Sequence, residues 1–143
     1  MRRGCRVLLV HFHSYPILSR ASQEKARELA RILAGFQFHS RLFLVPFGDI
    51  QQQVTLSVPP PLRVVIYRRL MMRIAENIAR QHRAQALVTG EVVGQVASQT
   101  LENLSTIDRV VTMPVPQLSA AMFAPRSSTN AAALSGITPI IVT

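Results

Sequence analysis

Short apolar runs alternate along this sequence with segments of helical periodicity, and this alternation restricts the fold more than any other feature. The apolar runs are CRVLLVHFH (5–13), RLFLVPF (41–47), AQALVTG (84–90) and, as a possible fourth, RVVTMPV (109–115). Helical patterns fill much of the sequence between them, most clearly at 22–36, 64–82 and 98–104. Strands that alternate with helices predict an α/β fold, a parallel sheet with helices on both faces.

Cap and breaker residues set the expected limits of the helices. We expect Ser22 to cap the first helix and Gly35 to end it. Asp49 is expected to cap a short helix within GDIQQQV. Three consecutive prolines lack amide donors, so SVPPPLR (57–63) is expected to form a loop.

Composition narrows the class of protein. A chain of 143 residues with 48% hydrophobic residues suits one domain with a sizeable core. Its uninterrupted apolar runs are far shorter than the ~20 residues of a membrane span, and His11, His13 and Pro16 interrupt the apolar start, which argues against export. The single cysteine, Cys5, favours a reducing compartment, so a cytoplasmic location is expected. Cys5 itself lies in an apolar stretch and is expected in the core.

The charge is strongly positive and unevenly distributed. Sixteen Lys and Arg residues face seven Asp and Glu residues, a net charge of +9, and Lys25 is the only lysine. Arginine binds phosphate through a bidentate fork, so a nucleic acid is a plausible partner, although a solvated arginine-rich surface explains the charge equally well. The acids all lie at or before Asp108, so 109–143 differs in composition from the rest.

Ligands of open α/β sheets bind beyond the carboxyl ends of the strands. This rule points to HFHS (11–14), PFGD (46–49) and TGEVVGQ (89–95). Gly90 and Gly94 permit close backbone approach to a ligand. GEVVGQ lacks the spacing of a Walker loop, however, so from spacing alone a plain turn between strand and helix is the better interpretation.

Histidines and arginines supply the other candidate groups. His11 and His13 lie two apart on a strand and could form half of a zinc site, but a third ligand is not evident, so no metal site is expected. A histidine at a strand end, or one stacking on a base, is the alternative. Arg68, Arg69 and Arg73 cluster on the 64–82 helix. A solvent-exposed helix face accounts for Arg69 and Arg73. Arg68 would contact a ligand if the start of the helix faces the ligand-binding ends of the strands.

Three stretches taken together resemble one family. They are VHFHSYP (10–16), YRRLMMRIAENIA (67–79) and ALVTGEVVGQVASQTLENLSTID (86–108). They resemble the tRNA 4-thiouridine synthetases, ATP-dependent tRNA sulfurtransferases that are also named for thiamine biosynthesis. The resemblance implies an adenine-nucleotide α-hydrolase fold of the PP-loop type. It identifies 1–115 as a partial PP-loop ATP pyrophosphatase domain and leaves 116–143 as a diverged or frame-shifted tail.

The resemblance also implies a reaction and a site. ATP, with Mg expected, activates a uridine oxygen of tRNA. A persulfide sulfur donor, charged by a cysteine desulfurase partner, then supplies the sulfur, and some members feed the thiazole of thiamine. Catalytic residues are not assigned, but the ATP contacts implied by the motifs are five: His11, Phe12, Arg68, Gly90 and Gln99.

The sequence also departs from the family pattern. The resemblance places the family's serine-glycine-glycine-x-aspartate-serine loop before MRRGCRV, so the fold is expected to be incomplete at the N-terminus. The acid-free tail also contains no cysteine to carry a persulfide. We therefore expect the isolated chain to be inactive or very weak, the alternative being a catalytically dead nucleotide- or RNA-binding remnant. A parallel sheet without its central strand exposes an edge, which predicts self-association.

Overall fold

Four strands and four helices form the described part of the chain, which comprises residues 5–37, 39–89, 101–115 and 140–142 of a computed structural model. In chain order they are β1 (Val7–His13), α1 (Ala21–Ala34), β2 (Arg41–Pro46), α2 (Gly48–Ser57), α3 (Pro60–Gln81), β3 (Ala86–Val88), α4 (Leu101–Asp108) and β4 (Ile140–Val142). The alternation of strands and helices confirms the predicted α/β class.

The four strands form one sheet in the order β2-β1-β4-β3. β1 and β2 are parallel, with Leu8 opposite Arg41. β4 is antiparallel to both β1 and β3, so β1 and β3 run in the same direction. The parallel arrangement of β1, β2 and β3 agrees with the prediction. The sequence did not predict β4, which comes from the tail and lies between β1 and β3.

Helices cover both faces of the sheet, as predicted. Successive side chains of a strand point to opposite faces. Val7 and Leu9 pack with Ala30 of α1, whereas Leu8, Val10 and Phe12 pack into a larger core with α3 and α4. We call these the α1 face and the α3 face of the sheet.

The core of the α3 face contains the most completely buried side chains of the described residues. Phe47 and Leu87 are wholly buried, and so are Ala75 and Ala79 of α3. The two alanines lie four positions apart, one turn of helix, and their small side chains let α3 approach the sheet closely. Each large apolar side chain buried here stabilises the fold by about 1.5–3 kcal/mol.

The beginning of α3 contradicts the prediction of a loop over 57–63. The helix begins at Pro60, with Pro59 as its N-cap. Proline is tolerated in the first turn because the amides there have no partner within the helix, and its fixed φ already suits the helix. The prolines therefore start the helix instead of preventing it.

The end of α3 places an arginine where glycine is usual. Arg83 has a φ of 56°, in the left-handed region. Its amide donates to the Arg80 carbonyl (3.1 Å), and the Ala84 amide donates to the Ala79 carbonyl (2.8 Å). This pattern closes the last turn of a helix and normally uses glycine at the left-handed position.

The predicted strand over 109–115 is wrong. The chain turns after α4, and the amides of Thr112 and Met113 donate to Oε1 of Glu76 on α3, at 2.9 and 3.2 Å. Amides bound to a carboxylate cannot pair with a neighbouring strand. One bond does join this segment to the sheet, because the Leu87 amide donates to the Pro114 carbonyl (3.0 Å).

The limits of the first elements differ from the prediction in three details, one of which is that Phe47 is the N-cap of α2 and Asp49 lies inside its first turn. Gly35 follows the last residue of α1, as predicted, but the N-cap is Arg20 and Ser22 lies within the first turn. Cys5 is exposed and not in the core, because β1 begins two residues later at Val7. Within the described residues, no helix is long and apolar enough to cross a membrane.

Candidate functional site

The carboxyl ends of β1 and β2 meet at one edge of the sheet, which we call the carboxyl edge. The Phe47 amide donates to the His13 carbonyl (2.8 Å), and this bond joins the last residue of β1 to the turn that leads into α2. Two of the three predicted ligand-binding segments, 11–14 and 46–49, are therefore neighbours. In the third, Thr89 is buried, and 90–95 lies outside the described residues.

A compact turn follows β1 at this edge. The Leu18 amide donates to the Ser14 carbonyl (3.0 Å), and the Tyr15–Pro16 peptide bond is cis. Arg20 donates to the Tyr15 hydroxyl (2.8 Å), and its guanidinium lies 4.5 Å from the centre of the tyrosine ring. The contacts of Leu18 and Arg20 close the turn on itself.

Gly48 allows the two turns to touch. A Cβ at this position would lie 2.8 Å from Cδ1 of Ile17 and 3.3 Å from the Ser14 carbonyl oxygen. Beside it the Ser14 hydroxyl donates to Oε1 of Gln51. A cavity of about 480 Å³ opens here, lined by Ser14, Ile17, Leu18, Gly48, Gln51, Gln52, Thr55 and Leu56. Sequence reasoning identified the glycine's segment but missed Gln51, for which the run of three glutamines was the available signal.

His11 is the least satisfied polar side chain of this edge. Only 6% of the residue is exposed, and neither ring nitrogen has a hydrogen-bond partner among the described residues. Burial, and secondarily the nearby His13, lowers the pKa of His11, so the ring is neutral at physiological pH. A buried imidazole without partners is costly, which suits a group that binds a ligand.

Phe12 has its side chain on the opposite face. Its ring packs edge-on against Phe47, with ring centres 5.5 Å apart, inside the α3-face core. A contact from Phe12 to a ligand therefore runs through its main chain. The His13 carbonyl points towards β2, so by the alternation of a strand the Phe12 peptide groups point the other way. Within the described residues, the pairing of β1 with β4 covers Val7–Leu9, so the Phe12 groups lie beyond it.

Arg68 is half-buried in the half of α3 nearest this edge. The adjacent Tyr67 fixes that part of the helix, because its hydroxyl donates to the Gln51 carbonyl (3.3 Å) and its ring packs edge-on against Phe47 at 6.2 Å. His11, Phe12 and Arg68 thus belong to elements that converge on one edge. Gly90 and Gln99, the other two predicted contacts, lie outside the described residues.

Other candidates from the sequence have plainer environments. Arg69 and Arg73 are exposed on α3. In the described ranges no three His, Cys, Asp or Glu side chains are placed to share a metal ion.

The chain is similar to known proteins of one family. The model of the family described as thiamine biosynthesis protein (ThiI) matches residues 1–119. A probable tRNA sulfurtransferase of Thermus thermophilus is 56% identical over 115 residues, covering 80% of this chain and 28% of the relative. A second, from Moorella thermoacetica, is 44% identical over 115 residues, with 80% and 30% covered.

A solved structure agrees with these relatives. It is a 4-thiouridine synthetase–RNA complex with bound ATP, 44% identical, with a TM-score of 0.71 over 76% of this chain and 28% of that one. The chain therefore spans roughly three tenths of the length of the relatives it matches. His11, Phe12 and Arg68 all lie within the matched residues.

Proposed function

This chain belongs to the thiamine biosynthesis protein (ThiI) family, and we propose that it carries part of the ATP site of a tRNA sulfurtransferase. In the proposed reaction a uridine carbonyl oxygen attacks ATP, and pyrophosphate leaves. The terminal sulfur of a persulfide then attacks the activated carbon, and AMP leaves. A second thiol attacks the inner sulfur of this adduct, which breaks the S–S bond, forms a disulfide and releases 4-thiouridine. The sulfur comes from a cysteine desulfurase in the cytoplasm, and the same sulfur transfer supplies the thiazole of thiamine.

The observation that carries this proposal is the buried His11 ring at the carboxyl edge, which has no hydrogen-bond partner among the described residues. A neutral imidazole offers one donor and one acceptor, which suits the edge of an adenine or a ribose hydroxyl. The main chain of Phe12, which lies beyond the described pairing of β1 with β4, adds a donor and an acceptor beside it. These groups would hold the nucleoside.

Positive charge on α3 suits the phosphates. Arg68 is half-buried, so its guanidinium lies in a less polar environment than a surface arginine, where its attraction to phosphate is stronger. Mg²⁺ would accompany the phosphates, as it usually does in nucleotide sites. Gly90 and Gln99 remain proposed contacts, on the strength of the family motif alone.

Calorimetric titration of the full 143-residue chain with Mg-ATP tests the site. We expect His11→Ala to weaken binding by about 1–2 kcal/mol, because a buried hydrogen-bonding group is lost. His39→Ala is the matched control, since His39 is exposed and precedes β2 at the other edge of the sheet. Thermal denaturation of both variants separates loss of binding from loss of folding.

Measurement of pyrophosphate release distinguishes a catalytic chain from a chain that only binds the nucleotide. We expect ATP binding with little release, because the sequence contains no serine-glycine-glycine-x-aspartate-serine loop to hold the pyrophosphate. That result supports the alternative of a nucleotide-binding remnant when this chain acts alone. Rapid release would show that the chain is catalytic by itself. A folded chain without affinity for ATP, or equal affinity of wild type and His11→Ala, would refute the assigned site.

A further inference from the structure

A second group of basic side chains lies at the amino ends of the strands, opposite the carboxyl edge. Arg6 precedes β1, Arg41 begins β2, and His82 and Arg83 follow α3; we call these four residues the amino-edge cluster. Arg41 lies opposite Leu8 in the sheet, so both side chains point to the α3 face. Nη1 of Arg41 is 3.4 Å from Nδ1 of His82, so helix and strand bring these groups together.

His82 adds an aromatic surface to the cluster. Its half-buried ring lies against the ring of Phe43, with ring centres 5.0 Å apart and planes tilted by 43°. Cationic groups beside a ring are the combination with which proteins bind nucleic acids, through phosphate contacts and base stacking. The exposed Arg41 side chain lies next to this ring.

Arg83 is the most informative member. It adopts the left-handed conformation that favours glycine, at a φ of 56°, yet its side chain is exposed and so buries little apolar surface. Neither the backbone conformation nor core packing favours arginine at this position. A function for the positive charge does account for it.

Most acids among the described residues lie away from this edge. Glu24, Asp49 and Glu102 lie in the first turns of α1, α2 and α4, and Glu28 lies on α1. Glu76 approaches the amino edge, but its carboxylate is bound by Arg80 and Thr112. Asp108 ends α4 and is followed by Arg109. Among the described residues, neither Arg41 nor Arg83 forms an ion pair with an acid, so their charges remain available to a ligand.

We propose that the amino-edge cluster binds the phosphate backbone of RNA. The proposal rests on the proposed function for its partner, because a tRNA-modifying protein must hold a large polyanion while it acts on one base. Arginine binds phosphate in a bidentate geometry. A membrane surface fits less well, because most of the exposed large apolar side chains lie away from this edge: Tyr15, Ile17, Leu18 and Leu56 at the carboxyl edge, and Leu62 and Val64 in the first half of α3. Ile32 and Phe36, at the end of α1, are the exceptions.

Arg83→Gly tests the cluster without endangering the fold. Glycine suits the left-handed conformation better than arginine, so the thermal midpoint should stay the same or rise. Binding of a fluorescein-labelled tRNA transcript, followed by anisotropy over a series of salt concentrations, should weaken about threefold for one exposed arginine. For Arg83→Gly combined with Arg41→Gln we expect about tenfold if the two effects add. The salt slope should fall by about 1 for each arginine.

Arg27→Gln is the matched control, because it removes one exposed arginine from the middle of α1 and should leave the affinity for tRNA unchanged. Equal weakening in Arg27→Gln and Arg83→Gly would mean that the loss reflects total charge and not the cluster, and would overturn the proposal. Stronger binding to heparin or to phosphatidylserine vesicles than to tRNA would overturn RNA as the partner. Calorimetry with ATP is a separate readout: a wild-type chain that binds ATP but not tRNA would refute the cluster and leave the ATP site standing.

Discussion

The substitution Glu76→Gln keeps the size of a buried side chain but removes its charge. In the wild-type chain, Oε1 of Glu76 accepts hydrogen bonds from the Thr112 amide (2.9 Å), the Thr112 hydroxyl (2.8 Å), the Met113 amide (3.2 Å) and Arg80 (3.0 Å). These bonds attach the segment after α4 to α3. The glutamine oxygen can still accept hydrogen bonds. The bonds from Thr112 and Met113 then join two neutral groups, and the bond from Arg80 no longer joins opposite charges.

The size of the effect follows from these contacts. A hydrogen bond to a charged group contributes about 1 kcal/mol more than one between neutral groups. The Arg80 side chain is 58% exposed, so solvent screens its ion pair with Glu76, which contributes at most about 1 kcal/mol. Four donors share one oxygen, so their contributions do not add fully. We expect Glu76→Gln to lower the free energy of unfolding by about 2 kcal/mol at neutral pH.

The loss of stability caused by Glu76→Gln should become smaller as the pH falls. Burial by itself raises the pKa of Glu76, but the hydrogen bonds from Thr112, Arg80 and Met113 outweigh it, so the folded-state pKa lies below the ordinary value of 4.5. A carboxylate with a lowered pKa stabilises the fold at pH values above its unfolded pKa, and this stabilisation disappears as the pH falls through the folded pKa. The difference between wild type and Glu76→Gln should therefore be constant near neutrality and shrink in acid.

Urea unfolding of both proteins over this pH range measures the difference directly. Glu28→Gln provides the control, since Glu28 is exposed on α1 and should change stability little. Equal unfolding free energies for wild type and Glu76→Gln at neutral pH would refute the reasoning. A difference that persists unchanged in strong acid would show that shape, and not charge, accounts for the loss.

Two further substitutions test other parts of the fold. Gly48→Ala should lower the free energy of unfolding by about 1–2 kcal/mol, because its Cβ would lie 2.8 Å from Ile17; Gly35→Ala, whose nearest contact would be 3.4 Å, should change the thermal midpoint little, and equal midpoints for the two variants would contradict this difference. Ile141→Pro removes the amide of the middle residue of β4, at a cost of about 1 kcal/mol for the lost bond, and should expose the sheet between β1 and β3. Light scattering during gel filtration should then show a larger self-associated species, and a monomer at every concentration would contradict this expectation.

Patterns that depend on neighbouring residues predicted the fold well. β1 and β2 follow from short apolar runs, and the end of α1 follows from Gly35. The position of the site at the ends of β1 and β2 follows from a general property of parallel sheets. The environment of His11 also follows in part, since it is the polar residue at the end of a buried strand.

Features that depend on distant contacts could not be predicted. RVVTMPV has the composition of a strand, but Glu76 takes the amides of Thr112 and Met113, and no local pattern reveals that contact. The three prolines at the beginning of α3 are compatible with either a loop or a first helical turn, and the sequence around them does not distinguish the two. The alternating direction of side chains explains why the ring of Phe12 lies in the core while the neighbouring His11 faces α1.

The position of β4 determines the order in which the sheet can assemble. β1 pairs with β2 after one intervening helix, so this pairing closes a short loop and can form early. β4 pairs with β1 across almost the whole sequence, and the entropy of closing so long a loop makes this step late. During synthesis the facing edges of β1 and β3 stay open until residues 140–142 have left the ribosome. The centre of the sheet is thus filled last, and before that step β1, which is almost entirely buried in the finished fold, is available to other chains.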